Sequence, residues 1–281
     1  MKPSGPAQTE RQERQGNHMA IYTDIAPEIY PPGRGRVPEG VRCTVHQAGA
    51  CRITRVRIER DGLARPAGHY VTVETPRAAA LDDQDEKLTA LLAREVAEML
   101  PPGPVLVVGV GNRRVTADAL GPRVAGQVLV TRGLETVAAP LGLRTVASIA
   151  PGPGGVTGLA LAGIVAALVK EMDAAAVLAV DSLACAGPER LGRSVQLADA
   201  GLRPAGDTAR SLTRDTVGVP VVALGIPTMM DAGAVCSVPG LVVTPRDLDG
   251  LVRRGSHLLA RAVNRALQPR LTPAELGRLV S

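Results

Sequence analysis

Two apolar runs decide the fold: Val105-Leu-Val-Val-Gly-Val-Gly111 and Ala175-Ala-Val-Leu-Ala-Val-Asp181. Short, almost wholly apolar runs rich in valine are typical of strands that are buried on both faces of a parallel sheet. Between them, the stretch from Gly158 to Met172 has the length and the apolar content of a buried helix. A strand, a helix and a strand in succession are the units from which parallel sheets are built.

The same alternation continues along the chain. A helix is predicted from Leu88 to Met99, because Pro101-Pro102-Gly103 stops it, and a second one over Arg246–Leu267. Further strands are predicted over Val128–Thr131, Thr145–Ile149, Val195–Ala198, Val219–Gly225 and Leu241–Thr244. We therefore predict an α/β fold with a doubly wound, mostly parallel sheet that is flanked by helices.

The N-terminal part of the chain has a different pattern. Apolar and polar residues alternate at a period of two over Val41–Val45, Ile53–Glu59 and His69–Glu74, as they do in half-buried antiparallel strands. The residues before these runs are polar and have almost nothing to bury, which is typical of disordered segments. We predict a polar tail over residues 1–24, a small antiparallel β-subdomain over 25–80 and an α/β body over 81–281.

Composition and charge argue against two classes of partner. The 32 Lys and Arg residues are interleaved with 27 Asp and Glu residues, and Trp and Phe are absent. Without a basic stripe or aromatic stacking platforms, we predict that the chain binds no nucleic acid. The longest apolar stretch, Val156 to Val169, is too short to span a bilayer, so no membrane contact is predicted either.

The cysteines indicate neither a disulfide framework nor a metal site. Cys43, Cys51, Cys185 and Cys236 form no CxxC pair, which fits a reducing compartment. Cys43 and Cys51 lie near His46, but a fourth ligand at a zinc-like spacing is missing. We predict no metal and no cofactor.

Three aspartates follow apolar runs in a way that places them at the carboxyl edge of the predicted sheet, where sites form in open α/β folds. They are Asp118, Asp181 and Asp231. Asp231 has a simpler interpretation as a helix N-cap. Gly109 and Gly111 suggest a dinucleotide-binding turn, but Arg114 occupies the third glycine position of that motif, so the fingerprint is incomplete.

Asp181 is the most informative of the three, because a carboxylate next to an apolar strand is costly unless it has a partner or a task. Two adjacent carboxylates can hydrolyse a bond without a metal or a nucleophile, since repulsion keeps one of them protonated. The ionised group then takes a proton from water while the other polarises the carbonyl. A Gly-x-Ser-x-Gly elbow, a Walker loop and a His-Glu-x-x-His helix are all missing from the sequence.

Several blocks in a fixed order carry a resemblance to a known family. The chain resembles the germination proteases of spore-forming bacteria over Tyr22 to Leu267, in the blocks Val107–Pro122, Leu129–Arg132, Ile149–Gly152, Gly155–Gly158, Ala179–Ala184, Gly218–Thr228 and Val243–Arg246.

The resemblance implies an aspartate-dependent endopeptidase that cuts small acid-soluble spore proteins during germination, in the cytoplasm of the spore core. It implies a fold similar to that of the hydrogenase-maturation endopeptidases, and a homotetramer. The family's two essential aspartates match Asp118 and Asp181. We predict supporting or substrate-binding roles for Gly111, Asn112, Thr116 and Asp231.

The resemblance also implies that the protein is made as a zymogen. The segment Tyr22–Glu28 is similar to the Glu-Ile-Ala-Ser-Glu sites that the family cuts in its substrates. We therefore predict self-cleavage between Asp24 and Ile25, which releases residues 1–24 as a propeptide.

The chain departs from the family at three places. Ala117 replaces a residue that is usually proline, and Cys185–Pro188 and Ala205–Ala209 differ from the usual segments. Two alternatives therefore stay open. One is a metal-dependent peptidase in which Asp118 and Asp181 are oxygen ligands, and the other is a non-catalytic binding or assembly protein on the same fold.

Overall fold

A computed structural model describes residues 23–33, 37–76, 81–203, 211–232 and 241–280. Most of the predicted tail, residues 1–22, lies outside the described residues, as do Cys236 and the departing segment Ala205–Ala209. The strands are β1 (Val41–Ala48), β2 (Cys51–Ile58), β3 (Gly68–Glu74), β4 (Val105–Gly109), β5 (Val146–Ile149), β6 (Ala176–Cys185), β7 (Ser194–Ala198), β8 (Val221–Asp231) and β9 (Val242–Val243).

The helices range from single turns to twenty residues. They are α1 (Ala26–Ile29), α2 (Glu86–Met99), α3 (Leu120–Ala125), α4 (Glu135–Ala138), α5 (Gly154–Thr157), α6 (Leu161–Met172), α7 (Arg214–Val217), α8 (Leu248–Leu267) and α9 (Pro273–Leu279), with a 3₁₀ turn over Thr116–Asp118. The three long helices α2, α6 and α8 begin within three residues of the predicted positions. The Asp85 carboxylate caps α2 by accepting from two main-chain N–H groups, and Asp247 caps α8.

The strands form one mixed sheet in the order β1-β2-β3-β7-β8-β6-β4-β5, and β9 pairs with the far end of β8. The pairs β8–β6, β6–β4 and β4–β5 are parallel, whereas all pairs from β1 to β8 through β7 are antiparallel. The predicted α/β class is confirmed, but the parallel part is limited to four strands. Only eight residues join β6 to β7, which is too short for a parallel crossover, so β7 runs in the opposite direction.

The N-terminal strands continue this sheet, because β3 pairs with β7 from Tyr70↔Ala198 to Glu74↔Ser194. A buried ion pair ties them to the helical layer. Both guanidinium nitrogens of Arg55 on β2 donate to the Glu95 carboxylate of α2, at 2.7 and 2.6 Å. Glu95 is only 2% exposed, and the Arg55 fork explains why a charged residue can lie in the apolar stripe of α2.

Helices cover both faces of the parallel strands. On β4, Val105 and Val107 pack into a core with α2, α3 and α8, whereas Leu106 and Val108 pack against α6 on the other face. This alternation arises because successive side chains of a strand point to opposite faces of the sheet. Two apolar cores therefore enclose the centre of the sheet, and its edges remain accessible.

The run Val128–Thr131 was predicted as a strand and this prediction is wrong. Its main-chain groups are taken by other partners: Leu129 N–H donates to Asn264 Oδ1 at 2.8 Å, and Thr131 N–H donates to the Val146 carbonyl at 3.0 Å. The segment runs past the start of β5 without forming a ladder. Within the described ranges, no helix has both the length and the apolarity to cross a membrane.

Candidate active site

Asp181 lies on β6 just beyond the point where the neighbouring strand β4 ends. Gly109, the last residue of β4, is in register with Val180, so β6 continues beyond this point without β4 beside it. Asp181 therefore does not end its strand, as the sequence pattern suggested, but lies within β6 with Gly225 of β8 as its neighbour. The residue is 1% exposed, and its Oδ1 accepts a hydrogen bond from the Ser182 N–H at 2.8 Å.

Asp118 ends the 3₁₀ turn that follows β4. The Asn112 N–H donates to the Asp118 carboxylate Oδ2 at 2.8 Å and lies 3.0 Å from the Asp118 carbonyl oxygen. Gly111 has φ +124, and a Cβ on it would come under 3.0 Å from the same carbonyl. Thr116 begins the turn, and its carbonyl accepts from Ala119 N–H at 3.2 Å. The predicted supporting residues Gly111, Asn112 and Thr116 thus lie in the loop that shapes Asp118.

The loop of Asp118 is fixed over the strand of Asp181 by two close contacts. The Val110 N–H donates to the Val180 carbonyl at 2.8 Å. A Cβ on Gly121 would approach the carbonyl oxygens of both Val180 and Val110 to under 3.0 Å, so glycine is required for this packing. The structure therefore brings the main chain around Asp118 onto the residue that precedes Asp181.

A third contact comes from Thr228, which the sequence pattern did not indicate. Its Oγ1 donates to the Ala117 carbonyl at 2.7 Å, inside the turn that ends in Asp118. Thr228 is fully buried and lies at a bulge, because Leu183 and Ala184 of β6 pair with Pro227 and Met229. Pro227 is a signal for this irregularity, since proline inside a strand interrupts the ladder.

Asp231 lies farther along β8 than Gly225, the neighbour of Asp181. It is the last residue of β8 and pairs with Val242 of β9, and the residues after Ala232 that it was predicted to cap lie outside the described residues. The apolar residues Met229 and Met230 continue the strand across the bulge instead of beginning a helix. Six residues separate Asp231 from Gly225, which corresponds to roughly 20 Å along a strand.

Cysteine and histidine do not supply a nucleophile and base at this edge within the described residues. Cys185 is buried, and burial, reinforced by the nearby Glu28, raises its pKa to about 12, so that the thiol stays neutral. His69 pairs with Asp199 at 2.7 Å and His257 with Asp83 at 3.2 Å. The described part of the chain also contains no group of three His, Cys, Asp or Glu residues placed to hold a metal ion.

The predicted cleavage point is buried in the folded chain. Asp24 is 8% exposed and Ile25 is fully buried. Asp24 N–H donates to the Ala184 carbonyl at 2.8 Å, three residues beyond Asp181. The segment with the sequence of a cleavage site therefore lies against the strand that carries one of the candidate catalytic residues.

The fold and the site define an α/β protein with two aspartates near the carboxyl end of β4, the part of an open α/β sheet where ligands bind. The family model described as germination protease matches residues 34–240. Germination protease of Caldanaerobacter subterraneus subsp. tengcongensis is 32% identical, with 93% of this chain and 98% of that protein aligned. The germination protease of Clostridium perfringens is 28% identical, with 93% of this chain and 99% of that protein aligned. The one of Bacillus velezensis is 33% identical, with 79% of this chain and 66% of that protein aligned.

The chain therefore belongs to the germination protease family. Members of this family are peptidases, so the protein is a hydrolase that acts on peptide bonds.

Proposed function

We propose that the protein is an aspartate-dependent endopeptidase in which Asp118 and Asp181 act as one catalytic unit. The observation that supports this proposal most is the position of Asp181, a fully buried carboxylate inside an apolar strand, under the loop that carries Asp118. A buried carboxylate is costly to maintain, and such a cost is typical of functional sites.

The chemistry of the proposal needs only the two carboxylates and a water molecule. One carboxylate is ionised and takes a proton from water while the water oxygen attacks the scissile carbonyl carbon. The other is protonated and donates a hydrogen bond to the carbonyl oxygen. The tetrahedral intermediate then breaks the C–N bond, and the departing amine takes up the proton that was removed from water.

The finer parts of the proposal concern substrate, maturation and assembly. The relatives are named germination proteases. The substrates in this proposal are small acid-soluble spore proteins, cut in the spore core during germination. Residues 1–24 are a propeptide that is removed by cleavage between Asp24 and Ile25, residues 25–80 are a β-subdomain and 81–281 are the peptidase body. The active assembly is a homotetramer.

Replacing either aspartate by asparagine tests the catalytic pair. Each change keeps the volume of the side chain but removes proton exchange, so Asp118→Asn and Asp181→Asn should each lower turnover by about a hundred- to ten-thousandfold. The double variant should lose little more than either single variant, because the groups act together. The assay is cleavage of a Glu-Ile-Ala-Ser-Glu peptide, with circular dichroism as the folding check.

The same proteins report on maturation. N-terminal sequencing should find Ile25 as the first residue of the wild-type protein after incubation, and Met1 in both asparagine variants. Asp231→Asn is the matched control and should keep its turnover, because Asp231 lies roughly 20 Å along β8 from Gly225, the neighbour of Asp181. A folded Asp181→Asn protein with normal turnover would refute the proposal, and inhibition by a chelator would favour the metal-dependent alternative.

A further inference from the structure

The segment Thr23–Glu28 is bound to the protein by main-chain contacts that do not depend on its sequence. Asp24 N–H donates to the Ala184 carbonyl of β6 at 2.8 Å. The Gln196 amide of β7 donates to the Asp24 carbonyl and accepts from the Ala26 N–H at 3.0 Å. Thr72 Oγ1 donates to the same Gln196 oxygen at 3.0 Å and so fixes the amide. These contacts hold the extended residues before α1 by their main chain, as a peptide added to a sheet is held, while Glu28 lies within α1.

Three side chains of the segment have separate sites. The Asp24 carboxylate accepts from the Ala184 N–H at 2.8 Å and lies 3.6 Å from the Arg65 guanidinium. Ile25 is fully buried and packs in an apolar cluster with Leu183, Cys185 and Met230. The first site thus selects an acidic residue, and the second an aliphatic one directly after it.

The third site holds a second carboxylate. Glu28 accepts from the Ala186 N–H at 2.6 Å and the Gly187 N–H at 3.2 Å, and its Oε1 lies 3.4 Å from Arg190 Nη1. Arg190 is itself oriented by Glu74, at 3.1 Å from its Nε. Two main-chain N–H groups and a guanidinium are a strong receptor for a carboxylate.

The three sites form a groove on the same face of β6 as Asp181. Asp181, Leu183 and Cys185 alternate along the strand, so their side chains project from one face. The bound segment runs alongside them, with Asp24 at Ala184 and Glu28 at Ala186. A cavity of about 910 Å³ opens beside Glu28 and Arg190, which leaves this end of the groove accessible.

We infer that this groove, formed by Ala184, Ala186, Gly187, Arg190 and Gln196, is a receptor for protein segments of the pattern acidic-Ile-Ala-x-acidic. In the uncut chain the receptor is filled by residues 23–28. Cleavage between Asp24 and Ile25 vacates the first site, and a substrate segment binds to the whole groove when the new N-terminus, Ile25–Glu28, moves out of it. Arg190 is then a specificity residue that selects the acidic side chain four positions after the first one. The inference rests on the proposed function, because it names how that function selects its substrates.

The test breaks the same contact from its two sides. The binding of a fluorescent peptide, Thr-Asp-Ile-Ala-Pro-Glu, to the full chain is measured by anisotropy in the Asp118→Asn background, so that binding is separated from cleavage. Glu28→Gln weakens the segment but leaves the receptor intact, so the peptide should bind roughly ten- to a hundredfold tighter. Arg190→Gln damages the receptor, so the peptide should bind more weakly than before and Glu28→Gln should no longer improve it.

A purely structural contact would behave differently. Loss of either partner would then change peptide affinity in the same direction, and this result would overturn the inference. The same holds if a peptide with Asn and Gln in place of Asp and Glu binds equally well. If Arg190→Gln does not fold, Arg190→Lys replaces it and should give intermediate affinity, because lysine keeps the charge but loses the fork. Mass spectrometry of the recovered peptide shows whether Asp118→Asn still cleaves it, so a failure of the proposed function is seen separately.

Discussion

At Gly111 the main chain passes so close to the carbonyl oxygen of Asp118 that there is no room for a side chain. The residue also has a φ of +124, which L-residues rarely adopt. Gly111→Ala should therefore destabilise the protein by about 1–3 kcal/mol and displace the Asp118 turn. Because small misplacements of catalytic groups are costly, peptide cleavage should fall by about a hundredfold. Urea unfolding and the cleavage assay measure the two effects.

Gly126 provides the control at the same scale. It is exposed at the end of α3 with φ −71, and the nearest atoms to an added Cβ lie at 3.6 Å. Gly126→Ala should change the free energy of unfolding by less than about 0.5 kcal/mol and leave cleavage unchanged. Equal effects of the two substitutions would show that the crowding at Gly111 is not what holds the turn.

Individual residues also show what the sequence could reveal about the site. Asp181 could be identified because a carboxylate next to an apolar strand is conspicuous. The prediction that a helix starts at Met229 and Met230 was wrong, because two methionines fit a helix as well as a strand. Thr228 could not be found, since its role depends on a hydrogen bond to a residue more than a hundred positions away, and no local pattern encodes that contact.

At the scale of elements, the bulge in β8 determines where the Asp118 turn is held. Thr228→Val keeps the shape of the side chain but leaves the half-buried Ala117 carbonyl without its donor. We expect a loss of about 1–3 kcal/mol in stability. The kcat should fall at least tenfold with little change in KM, because the change displaces a catalytic group and leaves the peptide groove intact.

Thr228→Ser restores the hydroxyl group and should recover most of the lost kcat. Steady-state kinetics of the two variants, with urea unfolding in parallel, separates positioning from stability. A Thr228→Val enzyme that is less stable but has a normal kcat would mean that the hydroxyl serves the fold alone.

Most helices and strands were predictable from the sequence, but the pairing of the strands in the sheet was less so. The alternation of apolar and polar residues identified β1, β2 and β3, and continuous apolar runs identified β4, β6 and β8. Both patterns are local, because they follow from which side chains of a strand are buried. The continuation of β6 and β8 beyond their apolar cores was missed, since Asp181 and Pro227 interrupt the pattern. The mixed order of the sheet was also missed, because the pairing of β3 with β7 joins residues about 120 positions apart.

At the scale of the whole molecule, apolar side chains remain exposed outside the two cores. The long helix α8 buries its apolar face. Larger exposed apolar residues lie instead at Leu134, Val137 and Leu141, which are 53%, 64% and 56% exposed. They lie at the start of α4, within it and in the turn that follows it, and a local group of exposed apolar residues is typical of an interface.

Light scattering tests the assembly. The full chain should have about four times the mass of one 29.0 kDa chain at micromolar concentration. Combining Val137→Asp with Leu141→Asp should lower this mass, because a charged side chain at either position makes burial in an interface costly. Leu279→Asp is the control, since Leu279 has the same exposure as Leu141 but lies on α9. A monomeric wild-type protein would remove the tetramer from the proposal and leave the catalytic pair untouched.

The receptor for Glu28 has a consequence for the time at which the protein becomes active during synthesis. Roughly 160 residues separate Glu28 from the Ala186 and Gly187 N–H groups that bind it. A ribosome that adds 5–20 residues per second needs about 8–30 s to reach them after Glu28. During this interval the residues that bind Glu28 have not been synthesised. Asp181 has not been synthesised for nearly all of the interval either, because it precedes Ala186 by only five residues. The proposed catalytic pair and the groove that holds the proposed cleavage point are thus completed within seconds of each other, so the nascent chain has only a short interval in which the pair exists without the groove.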